Sequence, residues 1–253
     1  MDRDTSSDNL VWLPAPSDLR LSDNTVHVWR ASLAQPTEVI ERMAGILSAD
    51  EHARAARFFL ERDQRSFTVA RGTLRMILGR YLAVDGRELS FQYNEYGKPS
   101  LAQPFNGASL RFNLSHSRGL ALFAITSNRD VGVDVEGIRT LAHFAQIAAR
   151  MFSVYENAVL RSLPPSIQLE AFFNCWTRKE AYIKARGTGL SLPLDQFDVS
   201  FAPGEPARLI AIRNEPHEMT RWTLHALLPG HGYVGALVVE GEGLQVMCWQ
   251  AIL

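Results

Sequence analysis

An apolar residue alternates with a glycine or an acid along Val131-Gly132-Val133-Asp134-Val135-Glu136, which restricts this segment to a strand with one buried face. Extended backbone sends successive side chains to opposite sides. Val131, Val133 and Val135 therefore pack one way, and Gly132, Asp134 and Glu136 point the other. Neighbouring carboxylates on one face repel each other and resist desolvation unless a cation neutralises them. Mg²⁺ suits such a pair, because it takes oxygen ligands and binds through a few carboxylates together with substrate phosphates. A half-exposed strand with solvated acids satisfies the same pattern, so both alternatives stay open on this segment alone.

The run Trp176-Thr177-Arg178-Lys179-Glu180-Ala181-Tyr182-Ile183-Lys184 has helical spacing. Phe172, Trp176 and Ile183 mark an apolar side, whereas Glu180 and Lys184, one turn apart, project together. The plain alternative is an exposed ion pair worth about 0.3–0.5 kcal/mol. A third acid and a lysine, in a chain that already holds Asp-x-Glu, match phosphate chemistry. There a metal bridges phosphate oxygens and a lysine offsets developing negative charge. Asp134, Glu136 and Glu180 are thus candidate metal ligands. Within Phe112-Asn113-Leu114-Ser115-His116-Ser117, Ser115 and His116 offer a hydroxyl and an imidazole to phosphate oxygens. A hydrolase triad of Ser117, His116 and Asp134 fits poorly, since adjacent side chains diverge and no Gly-x-Ser-x-Gly elbow occurs. A structural histidine capping a turn is an equal alternative for His116.

Around these segments the chain reads as mixed helix and strand. Ser48-Ala49-Asp50-Glu51 and Ser153-Val154-Tyr155-Glu156 have the form of capping boxes. Helices are predicted from residue 48 to about 60 and from 63 to 82, the latter with Phe67, Leu74, Ile77, Leu78 and Tyr81 as its stripe. The second box starts a third helix that Pro164-Pro165 breaks, and a fourth, long one runs from about 166 to 185 and ends at Gly187 and Gly189. Strands are predicted over 25–29, 110–115 and 120–126, and in several runs between Phe197 and Trp249. Tyr96-Gly97-Lys98-Pro99 is turn chemistry. Ala70-Arg71-Gly72-Thr73 follows the first box and Ala185-Arg186-Gly187-Thr188 the second, an internal echo that chance or duplication explains equally well.

Composition narrows the partners. The 253 residues carry a net charge of −1, with 46% apolar and 21% charged residues, which is ordinary for a soluble globular chain. No global field draws in nucleic acid or an anionic membrane. Arginines concentrated between positions 50 and 80 are diluted by acids, which favours an anion-sized pocket over a nucleic-acid track. Cys175 and Cys248 form neither metal-ligand spacing nor a disulfide framework. No apolar run approaches the roughly 20 residues of a membrane span, and the polar start at Met1 lacks a signal-peptide core. A frayed N-terminus over residues 1–10 and a cytoplasmic location are the expectations.

Taken jointly, Tyr96-Gly97-Lys98-Pro99, Phe112-Asn113-Leu114-Ser115-His116-Ser117, Gly132-Val133-Asp134-Val135-Glu136 and Trp176-Thr177-Arg178-Lys179-Glu180, followed by Lys184 and Gly187-Thr188-Gly189-Leu190, resemble the 4′-phosphopantetheinyl transferases. The likeness is to the double-length class that activates peptide and polyketide synthases, and it extends from about Ser48 to Phe197. The resemblance implies an α+β fold of two similar halves, 1–126 and 127–253, related by a pseudo-twofold with the active site in the cleft between them. It implies transfer of the 4′-phosphopantetheine arm from coenzyme A to a serine of an acyl or peptidyl carrier protein, releasing 3′,5′-ADP.

In this scheme Asp134, Glu136 and Glu180 hold Mg²⁺, or Mn²⁺, against the coenzyme A diphosphate. Lys184 contacts that diphosphate and assists the leaving group, with Glu180 as general base. Ser115 and His116 touch phosphates, Lys98 lies near the nucleotide, and Arg54 and Arg57 approach the 3′-phosphate, where relatives often carry lysines. Two halves in one chain make a monomer the expectation. An Mg²⁺-dependent pyrophosphohydrolase of coenzyme A or nucleotides is the alternative, and a non-catalytic carrier-binding module is a third possibility.

Overall fold

The computed structural model describes residues 10–253, so the start at Met1, and all but the last residue of the stretch expected to fray, lie outside the described residues. The chain makes two passes through a similar order of elements. The first runs β1 (Trp12–Pro14), β2 (Thr25–Ser32), α1 (Thr37–Ala44), α2 (Ala49–Ala55) and α3 (Glu61–Leu82). It continues through β3 (Phe91–Tyr93), β4 (Pro99–Leu101), β5 (Leu110–Ser117) and β6 (Leu120–Ser127). The second runs β7 (Val131–Gly137), α4 (Phe144–Met151), α5 (Val154–Ser162) and α6 (Pro165–Arg186). After it come β8 (Phe197–Val199), β9 (Leu209–Ile212), β10 (Trp222–Leu227), β11 (Tyr233–Glu240) and β12 (Gln245–Gln250). The fold is α+β.

Sheet order repeats the parallel between passes. β2 pairs with β6 and β6 with β5, all antiparallel; β7 pairs with β11 and β11 with β10 in the same manner. One strand breaks the repeat. β12 crosses back and inserts between β1 and β2, parallel to both, which makes the first sheet five-stranded while the second has three.

The two sheets pack face to face through Val26, Val28, Leu122 and Ala124 on one side and Val131, Val133, Val135 and Leu237 on the other. The three β7 valines are at most 1% exposed, and burying each contributes about 1.5–3 kcal/mol. The two long helices cover the outer faces. α3 packs Val69, Leu74, Ile77 and Leu78 against Trp29 and Phe123, while α6 packs Phe172, Phe173 and Tyr182 against Val234, Ala236 and Val238.

Each capping box also sends its glutamate inward. Glu51 is held by Arg71 at 2.5 Å and Arg75 at 2.6 Å, and Glu156 by Lys179 at 2.8 Å, with both members of the latter pair fully buried. In each pass the buried ion pair joins the capping-box helix to the long helix that follows it, α2 to α3 and α5 to α6. The tetrapeptide echo falls at unlike places: Ala70–Thr73 lies within α3, whereas Ala185–Thr188 spans the end of α6, where Gly187 closes the helix at φ +67.

The helix expected from 48 to 60 stops at Ala55, because the chain tightens into a turn at Ala56 and must be extended again at Leu60 to begin α3. α1 and α4 were not anticipated, each being only 8 residues long. Among the described residues no helix is long and apolar enough to cross a membrane.

Candidate active site

Gly132 sets the geometry of the site. A Cβ built there would lie 2.1 Å from the Ala181 carbonyl oxygen and 2.3 Å from the Ala185 amide nitrogen. Only glycine lets β7 come this close to α6. That approach carries Lys184, on the adjoining turn of the helix, onto the acidic face of β7. Its ammonium donates to Asp134 Oδ1 at 2.6 Å, to Ser115 Oγ at 3.0 Å and to the Val133 carbonyl at 3.4 Å.

The other wall is β5, whose alternate residues Asn113, Ser115 and Ser117 reach across to β7. The Val133 N–H donates to Asn113 Oδ1 at 2.9 Å, and Ser115 Oγ donates to Asp134 Oδ1 at 2.7 Å. Ser117 Oγ donates to Glu136 Oε2 at 2.8 Å. A strand from each pass and the long helix of the second therefore share one cluster.

The electrostatics of this cluster favour an added positive charge. Asp134 is 5% exposed, and burial raises its pKa despite the opposing Lys184 and Ser115 contacts. Burial also raises the pKa of Glu180, and the nearby charges of Asp134 and Glu136 push it further the same way. Glu180 thus senses both β7 acids. Lys184 pairs with Asp134 rather than with Glu180 one turn away. Asp134 Oδ2 is buried without a hydrogen-bond partner, an arrangement costing about 1–3 kcal/mol or more for a charged group.

Lys184 on Asp134 and Arg139 on Glu136 set two cations against three acids, which leaves uncompensated charge, and the open carboxylate oxygen of Asp134 fits a divalent cation. In this arrangement no three acid, histidine or cysteine side chains among the described residues already converge at metal-ligating distances. The Lys184 ammonium occupies the Asp134 oxygen that faces it.

A cleft of about 450 Å³ opens beside the cluster, lined by Arg54, Arg71, Lys98, Ser115, His116 and Lys184 among others. Six polar or cationic groups around one cleft suit a polyanionic ligand. His116 is exposed as a residue, yet desolvation of its imidazole, and then the Lys184 charge, lower its pKa.

Arg54 and Arg57 part company. Arg54 reaches the cleft and stacks over Phe67 at 5.5 Å, whereas Arg57 lies past the end of α2, exposed and away from the cleft wall. Their i, i+3 spacing does not fall on one helix face because the helix has already ended. Lys98 donates to the carbonyls of Val131 at 3.2 Å and Ala185 at 3.0 Å. Its ammonium thus ties β7 to the end of α6, and burial lowers its pKa.

Sequence reasoning did not single out Arg71, which lies on the cleft wall while bonded to Glu51 and to the Tyr93 hydroxyl. The i, i+4 spacing of Arg71 and Arg75 on α3, facing one buried acid, was the available signal. It also gave Asn113 no role and weighed Ser117 only as a member of a poorly fitting hydrolase triad. Their period-two placement with Ser115 marks all three as one strand face.

Comparison with known proteins converges on one family. Residues 130–238 match the 4′-phosphopantetheinyl transferase superfamily, and residues 28–128 match the 4′-phosphopantetheinyl transferase N-terminal family. The chain is 41% identical to the 4′-phosphopantetheinyl transferase HetI of Nostoc sp., over 94% of this chain and 98% of that protein. It is 31% identical to the 4′-phosphopantetheinyl transferase Sfp of Bacillus subtilis, over 63% of this chain and 68% of that protein. The first of these alignments leaves almost nothing of either chain unmatched.

Proposed function

Since the chain belongs to the 4′-phosphopantetheinyl transferase family, we propose that it moves the phosphopantetheine arm of coenzyme A onto a serine of an acyl or peptidyl carrier protein, releasing 3′,5′-ADP. The observation that carries this proposal is the Ser115–Asp134–Lys184 cluster at the edge of a cation-lined cleft of about 450 Å³. The division of labour follows the two passes, with residues 1–126 supplying most nucleotide contacts and 127–253 the acids and Lys184.

In the reaction the carrier serine oxygen forms a bond to the phosphorus bearing the pantetheine arm. The bond from that phosphorus to the oxygen of the adenosine 5′-phosphate breaks. Glu180 receives the serine proton, a role supported by its raised pKa, since a more basic carboxylate accepts a proton more readily near neutral pH. Lys184 places positive charge at the leaving phosphate, where charge develops. Ser115 and His116 orient the diphosphate, and Arg54 and Arg71 supply cations toward the 3′-phosphate end.

Asp134, Glu136 and Glu180 would hold Mg²⁺ or Mn²⁺. When bound, the cation neutralises diphosphate charge and orients the group for in-line displacement.

Mass spectrometry of a carrier protein incubated with coenzyme A and this enzyme tests the proposal. The expected outcome is a gain of one phosphopantetheine arm on the carrier. Free phosphopantetheine with an unmodified carrier would show hydrolysis instead and overturn it. Restoring Mg²⁺ to a chelated sample should restore the mass gain.

A further inference from the structure

Asp134 and Glu136 are held in the same way, and the second is held from the opposite strand. On Asp134, Oδ1 takes both donors, Lys184 at 2.6 Å and Ser115 at 2.7 Å, while Oδ2 is buried and has none. On Glu136, Oε2 takes Ser117 Oγ at 2.8 Å and Arg139 Nη1 at 3.0 Å. Among the described residues no donor reaches Oε1. Each acid thus has one oxygen fixed by two donors and one left open, and the two lie on one face of β7, two residues apart.

Ser117 is itself fixed. Its oxygen accepts the Gly137 N–H at 3.3 Å, which directs its own proton to Glu136. Arg139 is the looser of the two donors, with a side chain 38% exposed.

We propose that Ser117 is a positioning residue for the divalent cation: by anchoring Oε2 of Glu136, it presents Oε1 to the same ion that Asp134 meets with Oδ2. This rests on the metal assignment made under Proposed function. A hydrogen bond to a ligating carboxylate fixes its orientation and sets the affinity of the site, and losing such a partner typically costs 10–100-fold in metal affinity. The pairing also gives the first pass a part in the ion site, although all three acids come from the second.

The test is Mn²⁺ binding to the purified full-length chain without coenzyme A, read from the free Mn²⁺ electron paramagnetic resonance signal, with thermal unfolding in parallel. Ser117→Ala is expected to raise the Kd for Mn²⁺ by about tenfold with a cooperative unfolding transition retained. Ser117→Thr, which keeps the hydroxyl, should restore it. Ser117→Cys, similar in size but a weak donor, should follow the alanine variant and decides the question if that variant does not fold. In turnover, the alanine and cysteine variants should need more Mn²⁺ than the wild type, and Ser117→Thr should not.

Wild-type affinity in Ser117→Ala or Ser117→Cys, alongside lost binding in Asp134→Asn, would overturn the role of Ser117 and leave the metal site standing. Failure of Ser117→Thr to restore affinity would likewise overturn it. Absence of Mn²⁺ binding in the wild-type chain would remove the metal assignment and this proposal together.

Discussion

At the scale of single residues, two side chains show how position determines chemistry. Lys184 reads in the sequence as the partner of Glu180, but in three dimensions it sits on Asp134 at 2.6 Å. A methionine there keeps the stem and deletes the charge. Lys184→Met is expected to lower kcat by about 10²–10³, the usual cost of one donor at a site of developing charge, and single-turnover transfer to a carrier protein would measure it.

His27 makes the second case. It is 3% exposed, its Nδ1 lies 2.7 Å from the Tyr81 hydroxyl, and burial lowers its pKa from 6.5 to about 4. Between those values the unfolded chain binds a proton that the folded chain refuses. Stability from this group is therefore complete above pH 6.5 and falls as pH drops toward 4, by about 3 kcal/mol in all. Urea unfolding of His27→Gln, which has no ionisable ring, should lose a share of that size from the pH dependence over this window.

Individual elements are held by backbone proximity and buried charge as much as by apolar contact. Gly132→Ala would drive a methyl group into the α6 backbone at 2.1 Å, and neither partner is a flexible side-chain end. The expected cost is about 3 kcal/mol or more, together with lost activity as Lys184 withdraws from Asp134. Denaturant melts and transfer assays on the same preparation would show both.

Lys179 bonds Glu156 at 2.8 Å and the carbonyls of Leu194 and Phe197 at 2.6 and 2.5 Å, all within the interior. Lys179→Met should cost about 3–5 kcal/mol, because it strands a buried carboxylate. Adding Glu156→Gln should recover part of that loss in urea titrations.

These elements also show what was legible in the sequence. The alternation of β7 is strict, and α3 and α6 run for 22 residues each, with Pro164-Pro165 and Gly187 marking the ends of the latter, so type and extent could be read directly. The short α1 and α4 carry too few turns for a period to stand out. For the candidate site, residue type and spacing nominated the three acids and Lys184. Their pairing was not, because the approach of α6 to β7 depends on a missing side chain at Gly132, which local pattern does not encode. The same limit hid the pairing of Ser117, whose partner Glu136 lies on the facing sheet.

Over the whole molecule, the two passes are alike in strand order and in their buried glutamates, but not independent. β12, from the end of the second pass, lies between β1 and β2, and buries Cys248 and Trp249 to 4% and 7% exposure. A chain ending at Gly243 should therefore lose its cooperative thermal transition, and circular dichroism on heating would register this. Were the passes self-sufficient domains, the transition belonging to the second would persist.

The same strand imposes an order of events on biosynthesis. As the chain emerges from a ribosome, the edge of β2 has no neighbour on one side until residues 245–250, more than 200 positions further along, have followed it out. Through that interval the opening sheet stands partly assembled, with an adhesive margin. The nascent first pass therefore exposes a pairing edge that the finished fold covers.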